Sequence, residues 1–411
     1  MQPLTIQYLL IGILTFSFVS SKLLSWLNSS RKPGPLPESL HNYVSAEKLQ
    51  KATDYKKTNF RFGLITGLFS FVLTVVFIAV GFFGWLDEFL RHFTDHMLWL
   101  PIIYMGVLLI GSDILSIPFD YYHTFVIEEK FGFNKSTLAT FFTDKLKGYL
   151  ISIPVGGGLL MALLALIQYI GPDFWWQFWI IAAVFMILVN NFYSSLILPL
   201  FNKLSPLEDG ELKEKIMGYA KSVDFSLNNV FVIDGSKRSS KANAFFSGFG
   251  KQKKVVLYDT LIDQHQPDEL VAVLAHEIGH YKKKHILQGM GIGILQTGLI
   301  LYILSLLIYS ESMSLALGGS QVAIHLNLIG FSMLFSPLSS LIGIAMNLLS
   351  RKNEFEADAF ARETYDGQPL ANALKTLSVN SLSELNPHPW YVFVNYSHPP
   401  LLQRLKRLEG V

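Results

Sequence analysis

The stretch PDELVAVLAHEIGHYKKKHILQGMGIGILQTGLILYILSLLI, residues 267–308, joins two segments that belong in different surroundings. Residues 289–308 carry no charge and are long enough to cross a bilayer as a helix. Before them, Pro267 favours a helix start, and His276 and His280 then follow one helical turn apart. The stretch therefore predicts a membrane protein that carries a polar, ion-binding helix directly before one of its spans.

The composition of the whole chain supports a membrane protein. Of its 411 residues, 51% are hydrophobic and only 16% are charged, whereas soluble domains carry about 25% charged residues. The 33 Lys and Arg nearly cancel the 31 Asp and Glu, which excludes a nucleic-acid-binding protein. Because the chain has no cysteine, disulfide scaffolds, cysteine nucleophiles and zinc sites with cysteine ligands are excluded as well.

Apolar runs of membrane-spanning length predict seven transmembrane helices. The runs are residues 5–27, 63–86, 97–117, 149–170, 174–201, 289–308 and 324–349. Of the 33 Lys and Arg, all but Lys22 and Arg91 follow the first, third or fifth run or lie in the C-terminal tail. Since positively charged loops face the cytoplasm, these segments are predicted to be cytosolic.

His276, Glu277 and His280 form an H-E-x-x-H motif, which is typical of zinc hydrolases. Both imidazoles share one helical face and can reach one ion at about 2.0–2.1 Å. Glu277 can hold a water beside that ion and take its proton. The alternative interpretation is an interfacial helix whose histidines only meet lipid headgroups.

A zinc site of this kind needs a third protein ligand, and without cysteine it must be His, Asp or Glu. Just past the last span, Glu354 and Asp358 lie four residues apart and hence on one helical face. This spacing suits a metal ligand followed by a carboxylate that accepts the second N–H of a ligand histidine. Glu356 points away from that face and is interpreted as an ordinary exposed acidic residue.

The predicted organisation follows from the spans and the motif. Residues 1–201 hold five spans and their loops, and residues 202–288 form a cytosolic catalytic part with the H-E-x-x-H helix. Residues 289–349 hold the last two spans, and residues 350–411 form the cytosolic remainder of the catalytic part. Because only a two-helix hairpin separates the two cytosolic parts, they can share one site.

Several ordered motifs resemble the type 1 CaaX prenyl proteases, which are membrane-embedded zinc endopeptidases. Besides the H-E-x-x-H motif, the resemblance rests on residues 125–135, 199–203, 243–246, 255–261, 354–358 and 395–405. It extends from the third span to the C-terminus, and the first sixty residues add only a compatible helix. A set of motifs in this order is far more specific than H-E-x-x-H alone.

The resemblance implies both a fold and a metal site. The fold would be mainly α and polytopic, with seven transmembrane helices around a water-filled intramembrane chamber that a zincin-like domain closes at its cytosolic end. One Zn²⁺ per chain would be bound by His276, His280 and Glu354, with Glu277 as the general base. One departure is Glu356, where glutamine is expected in many relatives.

The resemblance also implies roles for residues that spacing alone does not single out. His398 would steady the oxyanion or the substrate carbonyl, and Arg404 would pair with Asp358. Asn243 would lie on the edge strand along which the substrate binds. Taken without the resemblance, His398 could be a turn residue before a proline pair, and Arg404 one of several exposed basic residues of the tail.

These features together predict a membrane-embedded zinc metalloendopeptidase acting on a peptide or protein substrate at the cytosolic face of a lipid bilayer. By resemblance the substrates are prenylated CaaX proteins cleaved near the C-terminus, although a host without prenylation would need other membrane-associated substrates. The membrane would be endoplasmic reticulum in a eukaryote and inner membrane in a bacterium. The alternatives are a seven-helix transporter or receptor, which leaves the zincin spacing unexplained, and a non-proteolytic zinc-dependent membrane quality-control factor, which does not need Glu277.

Overall fold

The computed structural model describes residues 1–32, 34–227, 229–247 and 254–410. Its α-helices are α1 (Pro3–Ser30), α2 (Ala46–Ala79), α3 (Phe82–Arg91), α4 (Trp99–Tyr122), α5 (Glu129–Phe131), α6 (Leu138–Ile170), α7 (Phe174–Phe192), α8 (Leu198–Phe201), α9 (Glu211–Ser222), α10 (Asp259–Gln264), α11 (Pro267–Lys282), α12 (His285–Leu307), α13 (Glu311–Ala316), α14 (Ile324–Thr364), α15 (Gly367–Asn380), α16 (Pro389–Asn395) and α17 (Leu401–Leu408). Its strands are β1 (Leu204–Pro206), β2 (Asn229–Ile233), β3 (Ala244–Ser247) and β4 (Lys254–Tyr258).

The apolar runs lie in long helices. Within the described residues, six helical stretches are long and apolar enough to cross a membrane: Pro3–Ser30, Ala46–Ala79, Trp99–Phe131, Leu138–Phe201, His285–Leu307 and Ile324–Thr364. The predicted mainly helical, multi-span architecture is confirmed. The stretch Leu138–Phe201 has 64 residues and contains both α6 and α7, joined by the 3₁₀ turn Gly171–Asp173. The predicted count of seven therefore requires α6 and α7 to cross separately.

The prediction of one helix over residues 63–86 is wrong at its C-terminal end. α2 ends at Ala79, and Gly81 has a φ of 68°, a left-handed conformation that favours glycine. α3 then begins as a separate helix because Gly84 lies directly on the backbone of Gly318. A Cβ at Gly84 would lie only 1.9 Å from the Gly318 carbonyl oxygen. Packing against the loop before α14, and not hydropathy, decides where this span stops.

A four-stranded sheet organises the polar part of the molecule. The strand order is β1-β2-β4-β3, in which β2 and β4 are parallel and the two outer pairs are antiparallel. The β-branched runs noted in the sequence correspond to β2 and β4. One apolar core joins β4 to the helices α9, α11, α15 and α17, and its fully buried members include Leu257, Leu270, Leu274, Leu370 and Leu405. This core fixes α11, the helix with the paired histidines.

α14 connects the membrane helices to the polar part without a break. It has 41 residues, which corresponds to a length of about 60 Å, roughly twice the hydrocarbon thickness of a bilayer. Its C-terminal half packs against α11. The approach is close at Gly279, where a Cβ would lie 3.1 Å from the Cα atom of Ala357. The absence of a side chain at Gly279 therefore lets α14 bring its carboxylates up to the histidines.

Two ion pairs attach the segment before β3 to the membrane helices. The Nζ atom of Lys241 lies 2.7 Å from Oε2 of Glu128, at the end of the π-helical segment His123–Glu128. Arg238 donates two hydrogen bonds, of 2.7 and 2.9 Å, to the carboxylate of Asp144 in α6. These contacts hold the sheet in a fixed position over the ends of the long helices.

Candidate active site

The two histidines of α11 face each other through their Nε2 atoms. Those atoms lie 3.2 Å apart in His276 and His280. The helix begins at Pro267, as predicted, and its start is secured by the backbone N–H of Gln266, which donates to Glu269 at 3.2 Å. Two nitrogen lone pairs that face each other at this distance repel unless a proton or a metal ion lies between them.

Glu354 completes a group of three side chains that could hold a metal ion. Its two carboxylate oxygens lie 3.5 Å from Nε2 of His276 and 3.4 Å from Nε2 of His280. Metal–ligand bonds of about 2.0–2.1 Å at tetrahedral angles place neighbouring ligand atoms about 3.3 Å apart. Oε2 of Glu354 is buried and accepts no hydrogen bond from the described residues. The three side chains therefore fit one tetrahedral ion with a fourth position to spare.

Asp358 and Arg404 form a buried pair behind His276. Arg404 donates from Nε and Nη2 to the two oxygens of Asp358, at 2.8 and 2.5 Å. Oδ1 of Asp358 also lies 2.9 Å from Nδ1 of His276. Because a carboxylate only accepts, Nδ1 carries the proton and Nε2 keeps its lone pair for a metal. Nη1 of Arg404 lies 3.4 Å from Glu354 and adds a positive charge to the same cluster.

The electrostatics of His276 reflect these neighbours. Burial alone lowers the pKa of His276, but the carboxylates of Asp358 and Glu354 outweigh it and raise the pKa to about 9. A proton and a metal ion therefore compete for the same nitrogen at neutral pH. The competition is expected of a ligand set with this much negative charge, since metal binding releases protons.

Glu277 directly follows His276 in α11 and is not one of the three side chains grouped for metal binding. Burial raises the pKa of Glu277, while the positive charge of His276 and His280 acts in the opposite direction. A carboxylate with a raised pKa is a stronger base than an exposed one. Its charge interacts with those of His276, His280 and Glu354, so it belongs to the same cluster.

His398 is brought to the same cluster by the turn between α16 and α17. Its Nε2 lies 3.3 Å from Oε1 of Glu354, and its side chain is 67% exposed. The Nδ1 atom lies 3.0 Å from the hydroxyl of Ser397. Arg351 of α14 donates to the carbonyl oxygens of Val392 and Tyr396 and so fixes this turn. His398 is thus an accessible N–H donor at the open side of the ligand group.

Asn243 directly precedes β3 and lies outside it by one residue. Its carbonyl oxygen accepts a hydrogen bond from the backbone N–H of Tyr258 at 3.1 Å, and its Oδ1 accepts from the N–H of Ala244 at 2.9 Å. Among the described strands, β3 pairs only with β4 and is an edge of the sheet. β3 also packs against α11, the helix that carries the two histidines.

Sequence reasoning missed His285 and its contact with Glu356. Nε2 of His285 lies 3.1 Å from Oε2 of Glu356, and Nδ1 of His285 lies 3.0 Å from Nδ1 of His280. The side chain of Glu356 is 41% exposed, as expected, but it is also linked to His280 through His285, which the sequence interpretation did not foresee. The signal available in the sequence was a third histidine, five residues after His280, in a segment interpreted only as the approach to a span.

Comparison with known proteins places the chain in a family. Residues 26–203 match the N-terminal domain of CAAX prenyl proteases, described as five membrane helices. Residues 206–411 match peptidase family M48. The chain belongs to peptidase family M48. It is a membrane metalloprotease. The resemblance noted in the sequence and the predicted enzyme class are confirmed. The transporter, receptor and non-proteolytic alternatives are not favoured.

Full-length relatives support the M48 assignment over most of the chain. CAAX prenyl protease 1 of Saccharomyces cerevisiae is 34% identical over 402 residues, covering 92% of this chain and 89% of the yeast protein. The Arabidopsis thaliana homolog is 36% identical and covers 91% and 90%, and the human homolog is 30% identical and covers 91% and 88%. The crystal structure of S. mikatae Ste24p superimposes with a TM-score of 0.93 at 32% identity, covering 98% of this chain and 99% of that one.

Proposed function

We propose that this M48 peptidase is a zinc metalloendopeptidase with one Zn²⁺ held by His276, His280 and Glu354. The observation that supports zinc is the spacing of the candidate ligands: the two Nε2 atoms lie 3.2 Å apart, and each lies 3.4–3.5 Å from one carboxylate oxygen of Glu354. This spacing suits a tetrahedral ion with one open position. Imidazole and carboxylate ligands without sulfur also suit a catalytic zinc site.

Glu277 is proposed as the general base. A zinc ion held by His276, His280 and Glu354 would polarise the scissile carbonyl and make a water more acidic. Glu277 takes a proton from that water as it attacks the carbonyl carbon, and then gives the proton to the leaving amine. The raised pKa of Glu277 suits both transfers, because the group must accept the proton and later release it.

His398 and the segment around Asn243 are proposed to act on the substrate. The exposed Nε2–H of His398 donates to the carbonyl oxygen as negative charge develops there. A substrate in extended form would add to the free edge of β3 by main-chain hydrogen bonds, with Asn243 at the start of that edge. This mode of binding selects little side-chain sequence, so specificity must arise elsewhere on the substrate.

The substrate class proposed is that of the curated relatives, prenylated proteins with a C-terminal CaaX sequence. The test uses two peptides of identical CaaX sequence, one farnesylated and one not, with products mapped by mass. We expect release of the last three residues from the farnesylated peptide, loss of cleavage with a chelator, and recovery on adding Zn²⁺. Equal cleavage of both peptides would contradict the requirement for a prenyl group but not the proposed peptidase activity. Cleavage of neither by zinc-loaded protein would contradict the peptidase mechanism.

A seven-span topology with the catalytic face in the cytosol is also proposed. Supporting it are the separate helices α6 and α7 and the bias of Lys and Arg in the sequence. The four parts 1–201, 202–288, 289–349 and 350–411 keep their proposed roles, although residues 349 and 350 lie within one helix. The membrane would be endoplasmic reticulum in a eukaryote or inner membrane in a bacterium.

The absence of cysteine makes this topology easy to test. The carboxylates of Asp95 and Asp209 are 75% and 95% exposed and lie in segments proposed to face opposite sides. With the protein expressed in a bacterial inner membrane, a membrane-impermeant maleimide added to intact cells should label Asp95→Cys at once, because this residue would face the periplasm, and Asp209→Cys only after permeabilisation. The reverse order of labelling would contradict the proposed orientation, and the cysteine-free parent is the control.

A further inference from the structure

His285 lies between a ligand histidine and a carboxylate. It is the first residue of α12 and only 8% exposed. The residue before it, Lys284, has a φ of 60°, which ends α11 and turns the chain back. The rings of His280 and His285 consequently lie 5.1 Å apart between centroids, at an interplanar angle of 72°.

The hydrogen bonds assign a single set of proton positions to neutral imidazoles. The carboxylate of Glu356 can only accept, so Nε2 of His285 carries a proton. Nδ1 of a neutral His285 then has a lone pair and accepts from Nδ1–H of His280. Nε2 of His280 is left without a proton, and this atom is the one that faces His276 and Glu354. The chain of contacts sets the tautomer that a metal ligand needs.

The position of Glu356 explains why an intervening histidine is needed. Residues two apart on a helix point to nearly opposite sides, so Glu356 cannot join Glu354 and Asp358 on the face toward His276. It projects instead toward the start of α12, where His285 extends its reach to His280. Asp358 contacts His276 directly, whereas the second ligand histidine is reached through an imidazole.

We propose that His285 and Glu356 are positioning residues that hold His280 in its metal-binding tautomer and orientation. The proposal rests on the proposed zinc site and adds the residues behind its second histidine. Outer hydrogen-bond partners of ligand histidines typically contribute about 10–100-fold to metal affinity. The same range is expected for breaking the contact between His280 and His285.

Four substitutions separate this role from simple packing. His285→Ala removes the group that accepts the hydrogen bond from Nδ1–H of His280. Glu356→Leu removes the carboxylate that fixes the tautomer of His285. Glu356→Gln keeps an acceptor oxygen, and His285→Asn places an amide oxygen near the former Nδ1 position. Lys352→Ala is the matched control, because Lys352 also contacts Glu356, at 3.7 Å, but is 72% exposed and does not contact the histidines.

The experiment measures zinc affinity of the full-length protein by competition with a chromophoric chelator, and the visible spectrum of the Co²⁺-substituted protein. We expect His285→Ala and Glu356→Leu to weaken zinc binding about 10–100-fold and to change the cobalt spectrum. Glu356→Gln, His285→Asn and Lys352→Ala should stay closer to the parent. Thermal unfolding of the metal-free proteins checks that each variant folds. If His285→Ala does not fold, the comparison of Glu356→Leu with Glu356→Gln tests the positioning role.

Two outcomes are distinguishable. Parental zinc affinity and an unchanged cobalt spectrum in Glu356→Leu and in folded His285→Ala would overturn the positioning role while leaving the zinc site intact. Failure of the parent protein itself to bind zinc would overturn the proposed site, and the positioning role with it. An equal loss in Glu356→Leu and Glu356→Gln would also contradict the proposal, because the glutamine keeps the acceptor.

Discussion

Glu277→Gln should abolish peptide cleavage while leaving zinc bound. The amide has nearly the same shape as the carboxylate but cannot take a proton from water. General-base catalysis typically contributes about 10²–10⁴-fold, so we expect a loss of at least a hundredfold in kcat. Zinc content should stay at the parental value, because Glu277 is not one of the three proposed ligand residues, His276, His280 and Glu354.

The measurement combines metal analysis with cleavage of the same peptide by the same preparation. Glu363→Gln is the matched control, since it makes the identical chemical change at an exposed residue of α14 for which no role is proposed. Full activity of Glu277→Gln with zinc retained would contradict the general-base role. Loss of zinc together with activity would instead show that Glu277 helps to hold the metal.

Arg404→Met should destabilise the catalytic part and prevent stable metal binding. Arg404 is only 8% exposed and is the cationic partner of the buried carboxylate of Asp358, with a further contact to Glu354. Removing one partner of a buried ion pair typically costs about 3–5 kcal/mol, because the remaining charge stays buried without compensation. The orientation of His276 should also be lost, since Asp358 holds it in place.

The test compares thermal unfolding midpoints and zinc content. Lys406→Met, an exposed basic residue two positions along α17, should behave like the parent. The double variant Arg404→Met with Asp358→Asn removes the unpaired charge, and part of the lost stability should return. If Arg404→Met unfolds at the parental temperature and binds zinc normally, the buried pair has no structural role.

Local pattern was enough to predict most of the site. His276, Glu277 and His280 follow from one helix, and its start at Pro267 follows from the residue's fixed φ. Glu354 and Asp358 follow from the four-residue spacing on a single helix. The structure brings all of these side chains together with His398 and Arg404, and their chemical roles stay predictions for the experiments above.

The errors occurred where distant segments meet. The second span stops at Ala79 because Gly84 packs on Gly318, more than two hundred residues away in the chain. The contact of Glu356 was missed because its partner, His285, belongs to another helix and is reached only through the turn at Lys284. Neither contact leaves a periodic pattern in the sequence.

The sequence by itself determined that the chain is a membrane protein with a zincin motif, because hydropathy and helical spacing are local properties. Only the tertiary structure decided which atoms meet: the Nε2 atoms of His276 and His280 and the two carboxylate oxygens of Glu354, with contacts of 3.2–3.5 Å, and the chain from Glu356 through His285 to His280. The physical reason is that metal ligation depends on distances between segments, and those are set by the close packing of α11 on α14 at Gly279.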